Sequence, residues 1–582
     1  MMNASIAEFP DLPKQNHKSH IQSKLVNFYF NLTRKHDISD IRELANDLDL
    51  LIDEIKNYIS KADEDLEFYK NNLCALYKMI GQTRDITYGK GERDLTYMMI
   101  HIWYKHFPVP AIYALRLLTQ NVDDSGLFSS YGSWADIKHF CYYVFMNDSK
   151  NEALIDIAIS IMNHQLDIDR RNWNQAMKTY LYEKTTNPMT LTDRPYGRDV
   201  MSLAAKWVPR ENSKFGWLYE KIVKQWFRTF NPNLLSENGN NIIREKSLNR
   251  CKRDYRKMIS ALNKELDTVQ IKQCGGAWSK IMPENVSITT LMKQKHAFSN
   301  MNRALQFETD DRIECSKNFN EFYNGHSYES VKGKHSYIPL GSYVKQALQL
   351  LSMEKNDYVL SQIKWLNRSW MKQLASYHNC LDFIPFVDIS WDSSPESAIG
   401  IGILIGQKSS FGRIMIYDHN PEWIHVSADD HFTDIIERIQ KNVKHATDSN
   451  IKNAFNIIHE SIVNTYMSES DMKKITVVIL SGSTPKMAEI REFLQNTNDC
   501  IHLIYWNLCK TNYYECDSEE YDGCEGINRM LRISGDSISS MNYFDKFGAE
   551  GVKNITAYEY IGEILNHPRY KFMGEYLYNL LS

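Results

Sequence analysis

Phe383-Ile384-Pro385-Phe386-Val387-Asp388-Ile389-Ser390-Trp391-Asp392-Ser393-Ser394 is the stretch on which the fold turns. Five apolar residues followed by a polar run read as a strand buried on both faces, with an acidic and hydroxyl-rich loop at its carboxyl end. From Pro395 the spacing becomes helical, through the glycine-interspersed run Ile399–Ile405. The alternation continues downstream. Arg413–Tyr417 and Trp423–Val426 are predicted strands, Phe432–Val443 and Ile451–Val463 helices, Lys474–Leu480 a central strand and His502–Trp506 another. Apolar, β-branched strands joined by amphipathic helices require a mostly parallel, Rossmann-like sheet covered on both faces. Ligands of such sheets sit beyond the carboxyl ends of the strands, so a site is expected after Val387, Val443 or Leu480.

Upstream, from about Lys18 to Lys372, apolar residues recur at helical spacing, as in Ile41–Leu51, Tyr97–Trp103, Ala111–Leu118 and Ile155–Met162. Pro108 and Pro110 punctuate two helices, and Ser133 is placed to cap another. No fixed-period repeat is present, so a helical-repeat or bundle region is inferred from helix density alone. The polar segments 231–241 and 318–335 read as loops. With 582 residues the chain exceeds what one core serves. The expected class is α + α/β: a flexible N-terminus (1–17), an α-helical region (18–375), the α/β domain (376–550) and a C-terminal helical segment (551–582).

A formal charge of −4 gives no global drive toward nucleic acid, so any such partner requires a local basic patch, and there is no DNA signal. Met1–Gln15 lacks the order of a signal peptide, and no run approaches the roughly 18 apolar residues that cross a bilayer. A cytoplasmic protein with scattered, reduced cysteines and no membrane partner is expected.

The loop Asp388-x-Ser390-x-Asp392 resembles the Asp-x-Ser-x-Ser start of the metal-ion-dependent adhesion site of von Willebrand A domains, with Asp392 where that family has serine. The resemblance places the remaining ligands at Thr447 and at Gly482, within Leu480-Ser481-Gly482-Ser483, and Gly482 has no side chain to offer. It implies an altered site for Mg²⁺ or Mn²⁺ held by Asp388, Ser390, Asp392 and Thr447, since hard cations take oxygen ligands. On the other reading, Ser390, Ser393 and Ser394 cap the helix entered at Pro395.

Several longer phrases resemble DUF2828, a family of eukaryotes and giant DNA viruses: Gly89-Lys90-Gly91-Glu92-Arg93-Asp94, Tyr131 through Lys138, Ser202 through Glu211, Tyr255 through Met258, Cys274 through Trp278 and Tyr505 through Leu508. That family is distantly similar to the TROVE-containing Ro ribonucleoproteins, in which a ring of helical repeats joined to an A domain binds small structured RNAs. The resemblance implies a helical region plus an A-like domain, and a location in host cytoplasm or a virion if the source is viral.

Gly89-Lys90-Gly91 lacks the Walker spacing and a preceding strand, so a helix–helix turn accounts for it better than a phosphate loop. Arg250, Lys252, Arg253, Arg256 and Lys257 form the clearest basic cluster, with Tyr255 available for stacking. They are candidate RNA contacts or a solvated helix face. Lys206–Glu211 reads as a groove lining or as a helix–helix tie. No zinc-hydrolase pair, nucleophile elbow, kinase set or dinucleotide fingerprint is present, so no catalytic residue is assigned. The expected function is a non-enzymatic binding scaffold for protein or structured RNA. A divalent-dependent enzyme and a structural or virion-assembly protein are the alternatives.

Overall fold

Strands β1 (Ile384–Asp388), β2 (Arg413–Tyr417), β3 (Glu422–His425), β4 (Thr476–Ser481), β5 (His502–Asn507) and β6 (Met530–Ser534) form one sheet in the order β3-β2-β1-β4-β5-β6. Neighbours run parallel except β2 and β3, which are antiparallel. The structure, a computed structural model, describes residues 14–35, 37–61, 65–121, 128–148, 151–186, 194–236, 240–301, 309–325, 338–377, 383–389, 395–417, 420–442, 451–482, 487–498, 500–508, 530–536 and 538–582.

Strands β1, β4 and β5 are buried throughout, which is why they read as continuous apolar runs. Successive side chains still point to opposite faces. Val387, Val478, Leu480, Ile504 and Trp506 join one core, whereas Ile384, Phe386, Val477, Ile479, Leu503 and Tyr505 join a second. The edge strand β6 carries Arg532 in its middle and is only part-buried, so it lacks the apolar signature of its neighbours.

The helix Pro395–Lys408 is buried from Ala398 to Gln407 between this sheet and the helix Leu340–Leu351. Its glycines permit that fit. A Cβ on Gly402 would lie 2.4 Å from Val387 Cγ2, and one on Gly400 would lie 2.7 Å from the Leu340 carbonyl carbon. The helix Asp357–Ala375 adds a second contact: Trp370 stacks on Phe432 at 4.1 Å and its indole N–H donates to Gln407.

The helical segments expected upstream lie in Ile38–Lys61, Asp94–His106, Pro108–Leu117 and Glu152–Thr186. Pro108 opens its helix at the first turn, and Asn240 and Asn356 cap theirs by accepting from the backbone N–H of Ile243 and Val359. Two expectations change. The N-terminal helix begins at Lys14, inside the segment read as flexible. The first half of 318–335 is the end of the helix Asp310–Gly325, because Cys315, Phe319, Phe322 and Tyr323 form a buried stripe along its otherwise polar surface. Residues 326–337 lie outside the described residues.

After β6 come the helices Ile538–Lys553, Ala557–Leu565 and Pro568–Leu581. The last returns to the helical region: the Arg569 guanidinium grips Asp85 at 2.7 and 2.9 Å, and Tyr131 donates to the Arg569 carbonyl at 2.6 Å. The α/β part is therefore built between two stretches of one helical body. No helix among the described residues is long and apolar enough to cross a membrane.

Candidate functional site

The strand order reverses direction between β1 and β4, the crevice where doubly wound sheets place ligands. Asp388 ends β1 there, fully buried, and the Ser481 hydroxyl at the end of β4 donates to its Oδ2 at 2.6 Å. Burial pushes the neighbouring Tyr417 phenol far up its range, with the Asp388 charge adding to the effect. Gly482 follows Ser481 and is buried. Ser481 is thus the β4 residue that meets Asp388, one position before the glycine singled out from sequence. Ser390, Asp392 and Thr447 lie outside the described residues. Among the described residues, no group of three or more His, Cys, Asp or Glu side chains is arranged to hold a metal ion. Asp388 and Ser481 supply two oxygens of the kind a hard cation takes.

The next two strands end in Asn507 and Ser534, and the helical region occupies their carboxyl edge. Asn507 Nδ2 donates to the Phe30 carbonyl at 3.0 Å, and Ser534 Oγ donates to the Tyr29 carbonyl at 2.8 Å. Lys90, from the turn between the helices Leu66–Arg84 and Asp94–His106, reaches into the same place. Its Nζ donates to Ser534 Oγ, the Tyr29 carbonyl and the Leu32 carbonyl at 2.8, 3.1 and 2.9 Å, and lies 3.9 Å from the Tyr29 ring centroid. Burial pushes its ammonium well below the ordinary lysine range. All three of its donors are satisfied by neutral oxygens, the arrangement of a structural tie.

The phrase Tyr131 through Lys138 meets the end of the helix Leu66–Arg84. Arg84 makes a bidentate pair with Asp136 at 2.8 and 2.9 Å, and Asp136 also accepts from Tyr97 at 2.5 Å and from the Ser133 backbone at 2.7 Å. Asp85 beside it takes Arg569. Two buried ion pairs therefore stand back to back at the end of one helix, joining residues 84–85, 131–136 and 569. Ser202 is tied to Asp169 through both its N–H and its hydroxyl, at 3.0 and 2.7 Å.

The basic cluster lies on the helix Asn241–Leu266. Lys252 bridges Glu211 and Glu220 at 3.3 and 3.0 Å, Arg256 reaches Glu211 at 3.1 Å, and Arg250 and Arg253 share Asp254 at 3.9 and 3.4 Å. Lys257 is exposed. Tyr255 differs from expectation: it is 1% exposed, packs edge-on to Tyr219 and Trp226, and donates to Asn163, so it offers no stacking face. Cys251, Tyr255, Leu262 and Leu266 form the buried stripe of this helix, and helical spacing assigns Tyr255 to it. An open cleft of about 500 Å³ adjoins the cluster, and its walls are self-paired, as in Lys221 with Glu152 at 2.9 Å.

Sequence reasoning missed Ser481, Asn507, Ser534 and the buried role of Lys90. The signal for Ser481 and Asn507 was the polar residue that closes each apolar strand, whereas β6, with no apolar run, offered none for Ser534.

No protein-family model matches the chain. Over 416 residues it is 20% identical to an uncharacterised protein, L728, of Acanthamoeba polyphaga mimivirus, an alignment covering 68% of this chain and 62% of the viral one. The chain thus spans about six-tenths of the length of that relative.

Proposed function

We propose that the chain is a non-enzymatic binding scaffold of the DUF2828 kind, in which the helical body engages structured RNA and carries a von Willebrand A-like module at a fixed angle. One observation carries this reading. The carboxyl edge of β5 and β6 is taken up by Tyr29, Phe30 and Lys90 of the chain's own helical region, so a surface that ordinarily receives ligands serves as an internal joint. A joint of this kind suits a protein that presents one broad surface. The helical region supplies cations for it, Arg250, Lys252, Arg253, Arg256 and Lys257 among them. The sequence similarity to a mimivirus protein favours a viral setting, host cytoplasm or particle, as the place where the scaffold works.

Ultraviolet crosslinking of the purified full chain to a structured RNA, followed by peptide mapping, tests the reading. Crosslinks are expected in the helical region, with affinity falling steeply as salt rises. Crosslinks at background level in low salt would refute it. The altered cation site is part of the same proposal, with Asp388, Ser390, Asp392 and Thr447 as its ligands and the Ser481 hydroxyl alongside. Calorimetric titration with Mg²⁺ and Mn²⁺ is expected to give heat with the wild type and none with Asp388→Ala, and identical traces would remove the site.

A further inference from the structure

Lys138 on the helix Ala135–Asn147, Lys206 on the short helix Ala204–Trp207 and Lys214 just before the helix Gly216–Phe230 come together over half-buried aromatic rings. Lys138 Nζ lies 4.7 Å from the Trp207 centroid and 5.3 Å from that of Phe215. Lys206 Nζ is 5.5 Å from Trp207, and Lys214 Nζ is 4.7 Å from Tyr142 and 5.9 Å from Phe215. Arg250, Lys252, Arg253 and Arg256 each have a carboxylate partner. Among the described residues, no carboxylate pairs with any of these three lysines.

Cation–π attraction steadies the ammonium groups without cancelling their charge. Burial acts against them: the Lys138 and Lys206 ammonium groups are held below the ordinary lysine range, and His139, which meets the Phe215 ring edge-on, is held down to about 4 by burial and by Arg93 and Lys138. Three like charges gathered from separate elements repel one another. An incoming anion would relieve both the repulsion and the lost hydration.

We propose that this cluster is a contact for an unpaired RNA strand: the lysines take successive phosphates, and Trp207, uncovered as Lys138 and Lys206 move onto them, stacks on a base. Phosphates beside a ring face fit a nucleotide chain, whereas an acidic peptide would use the lysines and leave the ring idle. The proposal rests on the RNA-binding reading above and adds a site separate from the helix Asn241–Leu266.

The test is fluorescence anisotropy of a labelled oligouridylate of roughly 15 nucleotides, long enough for one binding site, with the full chain. Three proteins are compared: wild type, Lys138→Gln/Lys206→Gln/Lys214→Gln, and Arg250→Gln/Arg253→Gln/Arg256→Gln. The lysine variant is expected to bind at least about tenfold more weakly near 0.1 M salt, and its log–log salt slope to flatten by about 2, the share of three phosphates. RNA is also expected to quench tryptophan fluorescence less in Trp207→Phe than in the wild type. Because burial and mutual repulsion offset the cation–π attraction on these ammonium groups, the lysine variant is expected to melt no lower than the wild type. If it does melt lower, the exposed Lys214→Glu alone is expected to weaken binding about threefold. Wild-type affinity in the lysine variant or in Lys214→Glu, with binding lost in the arginine variant, would overturn this site and leave the RNA reading standing. No binding by the wild type would overturn both.

Discussion

Replacing Asp85 by asparagine tests the joint between the last helix and the rest of the helical body. Asp85 and Arg569 are 0% and 3% exposed, and the carboxylate holds two guanidinium N–H groups, the Tyr570 hydroxyl at 3.1 Å and the Thr87 backbone N–H at 2.9 Å. Asparagine keeps one oxygen, but its amide N–H₂ faces the guanidinium and the Arg569 charge is left buried without a counter-charge. Removing one partner of such a pair costs about 3–5 kcal/mol. Because 1.4 kcal/mol is tenfold, amide exchange across Pro568–Leu581 is expected to quicken by at least about a hundredfold. Hydrogen exchange read by mass spectrometry on that peptide measures the effect locally, which matters in a chain too large for a single two-state transition. The double variant Asp85→Leu/Arg569→Met is expected to recover most of the protection, since two apolar side chains leave no stranded charge. Exchange in Asp85→Asn within about threefold of wild type would refute the claim that this pair holds the C-terminal helix.

Lys295 is buried with an Nζ that finds no hydrogen-bond partner among the described residues, and burial holds its ammonium down to about 8. The unfolded lysine titrates near 10.4, so the cost of the charge is fully present below pH 8 and fades as pH rises toward that value. Lys295→Met is expected to stabilise the fold by about 3 kcal/mol at pH 7, with the difference vanishing above about pH 10.5 in urea melts; equal midpoints at pH 7 would count against the assignment. Lys90→Met removes two hydrogen bonds to the Tyr29 and Leu32 carbonyls of the helical region and one to Ser534 of β6, and exchange across Lys14–Asn31 is expected to quicken by about tenfold. An unchanged rate there would mean that the carbonyls of Tyr29 and Leu32 do not need this donor.

Much of the fold was legible in the chain because burial writes a local period. Five of the six strands and the helices Pro395–Lys408, Phe432–Asn442 and Ile451–Asn464 follow from such runs, as at Phe383–Val387 and Lys474–Leu480, whereas the helix Met487–Asn496 between β4 and β5 was not read from the chain. Strand β6 was illegible, because an edge strand with Arg532 at its centre carries no such run. Asp388 could be placed at a strand end by the same logic. Its partner Ser481, 93 residues away in sequence, could be selected over Gly482 only by the register of β1 against β4.

The sequence by itself determined where most helices and five of the six strands fall, that the sheet would be mostly parallel, and that Asp388 would stand at the carboxyl end of β1. Tertiary structure decided which charges are used up and which remain. Arg250, Lys252, Arg253 and Arg256 read as the basic patch, yet Glu211, Glu220 and Asp254 pair with them. Lys138 and Lys206, quoted only within longer phrases, and Lys214 converge with no carboxylate paired to them among the described residues, and Lys90 of a loop-like phrase is a buried tie to Ser534. The reason is physical: hydrophobic periodicity is a property of neighbouring residues, whereas the state of a charge depends on whatever the fold brings within a few ångströms of it.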